Sequence, residues 1–110
     1  MTPSPEDLAF VRFCRTGAPE ALAQVFDRTA GQLLLVAMHL TRDGALAEDL
    51  VQGTFVAAIQ SADGFAPGRR VLPWLLGILA HLASGARRQA ARAARGPGRP
   101  GLVADTPLAR

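Results

Sequence analysis

The chain has 110 residues, 49% of them hydrophobic and only 5% aromatic, with no tyrosine and one cysteine. That leaves room for one small domain without an internal disulfide, and its abundant alanine and leucine favour helix over sheet. The charge is segregated: residues 1–63 hold 4 Arg against 8 Asp/Glu, a balance of −4, and residues 64–110 hold 8 Arg against 1 Asp, a balance of +7.

In chain order, the first element is "SPEDLAFVRFCRTG". Ser4 is placed as a cap, Pro5 takes the first helical position, acids fill the first turn and Gly17 follows the last arginine, so a short helix is predicted. A second helix restarts at Pro19 and Glu20 and carries Leu22, Val25, Phe26, Leu33, Ala37 and Leu40 at helical spacing. Gly31 weakens its middle by about 1 kcal/mol at most and need not break it. Thr41 to Gly44 is a turn with Asp43 as a cap, and a third helix is expected from about Ala45 to Gln60. Ser61 to Arg70, rich in Gly, Pro and Asp, reads as a loop. A fourth helix is expected from near Leu72 to about Arg95, followed by "GPGRPGLVADTPLAR" as a linker or flexible tail. The fold class is therefore all-α: a bundle of three or four helices over residues 1–95, with a Gly/Pro/Arg-rich tail over 96–110.

On a wheel of about 100° per residue, the third helix turns Leu46, Ala47, Leu50, Val51, Thr54 and Ala58 to one side. Glu48, Asp49, Gln52, Val56 and Ile59 gather opposite. That mixture suits a protein contact surface, and it suits equally well a solvated face with two stray aliphatics. The fourth helix buries Leu75, Ile78, Leu79, Leu82, Ala86 and Ala90 by the same pattern. Its other face carries Gly77, His81, Ser84, Arg88 and Arg95, with Trp74 and Arg92 at the edge. Since the chain has no lysine, every basic side chain is a planar guanidinium suited to phosphates. A basic helix beside an aromatic and the loop arginines Arg69 and Arg70 fits nucleic acid, although a solvated charge run has the same composition.

Other chemistry finds no support. "GPGRPG" fits a Gly-x-Gly-x-x-Gly spacing but follows a helix instead of a strand, so it makes no dinucleotide site. His39 and His81 have no partner at ligand spacing, Cys14 reads as a buried thiol without a neighbouring base, and no nucleophile–base–acid set can be assembled. No enzyme, metal or cofactor is expected. The most apolar run, Val71 to Ala86, contains Pro73 and His81 and is short for a bilayer, and the N-terminus opens acidic and polar. A soluble, cytoplasmic protein without membrane contact is expected.

Three ordered landmarks carry a resemblance over roughly residues 6–90: the run Glu48-Asp49-Leu50-Val51-Gln52 with Phe55, the Phe65-x-Pro67 loop, and the helix start Trp74-Leu75-Leu76. The chain resembles region 2 of bacterial sigma factors of the extracytoplasmic-function group. In that group the motif-bearing helix docks on the clamp coiled coil of the largest RNA polymerase subunit. The resemblance thus implies Glu48, Asp49, Gln52, Phe55 and Val56 as contacts to the polymerase core. The loop and next helix of the group capture unpaired bases of the upstream melted promoter element. For that role the resemblance implies Phe65, Arg69, Arg70, Trp74 and His81, and the basic face of the helix adds Ser84, Arg87, Arg88 and Arg92 as DNA contacts, preferring single strands.

Departures from the group's pattern are local. Gly53 stands where the group usually has Glu, Ala80-His81 where it prefers Arg-Asn, and Gly85-Ala86 where it prefers Asp-Arg. Within these 110 residues there is also no second helical domain of the kind the group carries, so a fragment, a truncated gene or a region-2-only protein is expected. The resemblance implies a transcription initiation factor that binds polymerase and melts promoter DNA. The alternative is a degenerate, sigma-like decoy that binds an anti-sigma or other protein without reading a promoter.

Overall fold

A computed structural model describes residues 2–95, and the expected tail over 96–110 lies outside them. Four helices form: α1 (Pro5–Thr16), α2 (Pro19–Thr41), α3 (Gly44–Gln60) and α4 (Val71–Arg95), with a single 3-10 turn, Ala62–Gly64, after α3. The helix starts follow local chemistry. Pro5 and Pro19 sit in the first turns of α1 and α2, where the missing N–H removes no bond. Asp43 caps α3 by accepting from the Leu46 N–H at 3.1 Å. Gly17 ends α1 in the left-handed region at φ 70°, donating its N–H to Phe13. Gly31 leaves α2 unbroken.

The helix α2 packs against all three others, and α4 packs against α1, α2 and α3. Their buried stripes meet in one core containing Phe10, Val25, Leu33, Leu50, Val51, Phe55, Leu75 and Leu79. Buried Thr29 and Thr54 are satisfied within their helices, donating to the carbonyls of Val25 at 2.7 Å and Leu50 at 2.8 Å.

Three residues depart from the expected pattern. Ala90 is exposed, because α4 outruns its partner helices, and Ala83 fills the core in its stead. Phe26 remains 40% exposed. It neighbours Val25, which takes the core position, and adjacent helical residues stand about 100° apart. Cys14 is only half-buried, its thiol 3.6 Å from the Ala62 carbonyl. Burial, and then the charge of Asp63, push that thiol's pKa up. His39 is exposed near the end of α2.

Candidate nucleic-acid interface

The loop between α3 and α4 is shaped by two anchors and one turn. Phe65 anchors its start in the core, 5.0 Å from both Phe10 and Trp74 between ring centres. Ala66, Pro67, Gly68 and Arg69 follow as a tight turn closed by the Arg69 N–H on the Ala66 carbonyl at 3.1 Å. Pro67 followed by Gly68 at φ 92° is the residue pair a type II turn requires. The second anchor is Asp7. Its carboxylate accepts from the Val71 N–H at 2.7 Å, from the Ser4 N–H at 3.0 Å and from the Ser4 hydroxyl at 2.7 Å. The Arg70 Nε lies 3.4 Å away. Pattern reading of the sequence passed over Asp7 as one first-turn acid among several. The Ser4-x-x-Asp7 spacing of a capping box was the available signal.

Beyond this loop lies an open hollow of about 530 Å³ lined by Ala57, Ser61, Arg69, Pro73, Trp74, Gly77, Ile78, His81 and Leu82. The structure therefore brings Arg69, Trp74 and His81 to one place. Phe65 does not join them: at 5% exposure it is a core residue that backs the Trp74 ring. Trp74 itself is half-buried, packed 5.4 Å from Phe10. Arg70 is half-exposed beside Asp7.

Arg87, Arg88 and Arg92 lie farther along α4, on a stretch from Arg87 to Arg95 in which every residue is exposed. Ser84 is half-buried and accepts from the Arg87 guanidinium at 3.3 Å. A second hollow, about 440 Å³, runs between α3 and α4. Asp49, Gly53, His81, Gly85, Ala86, Arg88 and Arg92 line it. A Cβ on Gly53 would meet the Leu82 side chain at 3.4 Å, an ordinary contact, so the α3–α4 approach does not require glycine here.

The outer face of α3 exposes Glu48, Asp49 and Gln52 together with Val56 (53%) and Ile59 (45%). Phe55 is a core residue at 7% exposure, and the ring of Phe26 lies 5.0 Å from its own. Phe26, Leu22, Pro19, Asp27 and Gln52 border a groove of about 370 Å³ there. Sequence reading placed Phe26 in the core and so missed it as part of this surface.

Residues 25–93 match the sigma-70 region 2 family. The chain belongs to that family. The region 2 match spans α3, the loop and nearly all of α4, the elements that carry both surfaces. The chain is also 42% identical over 74 residues to the RNA polymerase sigma factor CarQ of Myxococcus xanthus, an overlap of 67% of this chain and 42% of that protein. This region 2 chain thus aligns with less than half the length of that curated relative. No solved structure matches it. Among the described residues, no three His, Cys, Asp or Glu side chains are grouped to hold a metal ion, and no helix is long and apolar enough to cross a membrane.

Proposed function

We propose that the chain acts in transcription initiation, binding core RNA polymerase through the outer face of α3 and capturing unpaired promoter bases in the hollow between the loop and α4. The observation that carries this reading is the convergence of Arg69, Trp74 and His81 on one 530 Å³ hollow, beside an exposed arginine-rich helix end. A base lifted from the duplex loses its stacking partners, and an aromatic wall returns about 1–3 kcal/mol per base. Arginines along α4 then follow the backbone. The acid–amide–aliphatic mixture of Asp49, Gln52, Val56 and Ile59 suits a helical partner, for which the family gives the clamp helices of the largest subunit. The setting is the cytoplasm, and no enzymatic step is involved.

The test is fluorescence anisotropy with a short labelled oligonucleotide of mixed sequence, free and then annealed. The free strand is expected to bind more tightly. Arg69→Ala and His81→Ala, which remove exposed groups, should lower single-strand affinity more than duplex affinity. Equal binding of both forms by the parent chain overturns base capture. That outcome favours the second reading, a sigma-like decoy for an anti-sigma or other protein. The decoy reading has its own support, since Gly53, His81, Gly85 and Ala86, where the family's usual residues are replaced, all line the hollow between α3 and α4.

A further inference from the structure

We infer that Asp7 is a positioning residue for base capture, fixing from α1 the loop and first turn of α4 that carry Arg69 and Trp74; the inference rests on the reading just proposed. The residue before α4, Arg70, has a side chain that only donates, so it cannot cap the helix. Arg69 and Arg70 precede it, and Pro73 in its first turn has no N–H to offer. The first donor of α4, the N–H of fully buried Val71, is satisfied by a carboxylate 64 residues earlier in the chain. The other carboxylate oxygen collects Ser4 and Arg70, so one side chain holds the start of α1, the end of the loop and the start of α4.

Packing holds the first turn of α4 through Val71 and Trp74, but it does not hold the loop that carries Arg69. Between α1 and the loop lies a space of about 280 Å³, lined by Leu8 and Val11 on one side and by Pro67, Gly68, Arg69 and Arg70 on the other. The loop is undercut there. It is tied down by Phe65 where it starts and by Asp7 where it ends. At 4% exposure, Asp7 is the only buried ionisable side chain among the described residues. A buried charge is tolerated when its hydrogen-bonding capacity is filled, and here that capacity is spent on the start of α1, the end of the loop and the start of α4, and not on the polymerase-facing helix.

The decisive variant is Asp7→Asn. Whichever way the amide turns, its NH₂ faces a donor, so one arm of the hold is lost at constant shape. Measured well below the thermal midpoint of each chain, Asp7→Asn should weaken single-strand binding about fivefold, the fold-change to which the typical loss of one helix cap corresponds. Retention of the largest polymerase subunit should stay at the parental level. Coupling separates positioning from mere support: in the Asp7→Asn background, Arg69→Ala should cost less affinity than in the parent, because the guanidinium is already misplaced. An Asp7→Asn chain that binds single strands like the parent, or in which Arg69→Ala keeps its full effect, overturns the inference. If Asp7→Asn does not fold, Asp7→Glu, which displaces the charge by one methylene, carries the same comparisons with the same outcomes. A parent chain without single-strand preference overturns base capture and this inference together, whereas a parental preference that survives Asp7→Asn overturns this one alone.

Discussion

Burial raises the pKa of a carboxyl group, yet Asp7 lies below its ordinary 3.8 because the donated hydrogen bonds of Val71 and Ser4 and the charge of Arg70 outweigh burial. The sign of the linkage follows. The unfolded chain binds its proton at higher pH than the folded one, so the stabilisation is present above the ordinary carboxylate range and is lost as pH falls through the folded value. On this account the thermal midpoint should hold from neutrality down to about pH 5 and decline below it. Asp7→Asn should lower the midpoint at pH 7 and flatten the acid decline. Circular dichroism melts across pH 3 to 7 check this, and an Asp7→Asn profile parallel to the parent's would assign the acid sensitivity to another group. The half-exposed guanidinium of Arg70 adds little to the stability of this pair, since ion pairs open to water contribute about 0–1 kcal/mol. The hydrogen bonds from Val71 and Ser4 carry most of the effect.

At the scale of the element, α4 is two helices in one. From Val71 to Ala83 it is held by the core through Val71, Leu75, Leu79 and Ala83; from Arg87 to Arg95 every residue is exposed. The outer part stands on propensity, because alanine, arginine and glutamine are strong helix formers and arginines near a C-terminus complement the helix dipole. Against this, Arg88 and Arg92, one turn apart, repel each other. Ala91→Gly, which costs about 1 kcal/mol of helix propensity, should therefore reduce helicity and weaken binding to single-stranded and duplex DNA alike. The thermal midpoint of the bundle should stay put. A lowered midpoint would mean that the outer turns are packed after all. Much of this was legible in the sequence: the caps at Ser4 and Asp43, the continuity of α2 past Gly31, and the near-exact limits of α3 and α4. What was not legible depends on where partner helices stop and on which of two neighbours faces inward. Ala90 fits the apolar stripe of α4 but has no helix beside it. Phe26 fits the stripe of α2 but yields the core to Val25. Phe65 sits in a segment that reads as loop, and only the tertiary cluster with Phe10 and Trp74 shows that it is core. The Asp7–Val71 bond joins residues 64 apart, beyond any local pattern.

Across the whole molecule, the acidic front and basic back of the chain end on surfaces that share an edge. Asp49 belongs to the outer face of α3, and it also lines the hollow that holds Arg88 and Arg92. One substitution can therefore push the two proposed activities in opposite directions. Asp49→Arg removes a carboxylate from the surface proposed to face polymerase and sets a third guanidinium beside two others. It should lower retention of the largest polymerase subunit in a pull-down. Asp49 is exposed, so the circular dichroism of the folded chain should not change. The same variant should bind single-stranded DNA at least as tightly as the parent. Its salt dependence should steepen, because each additional neutralised phosphate adds about −0.7 to the slope of log affinity against log salt on a single strand. Arg88→Ala should do the reverse, flattening the slope by a similar amount and leaving polymerase retention intact. If Asp49→Arg instead weakens both partners, the faces are one surface and the division of labour between α3 and α4 is wrong. If it weakens neither, the polymerase contact lies elsewhere, and the exposed ring of Phe26 beside Gln52 becomes the next surface to alter.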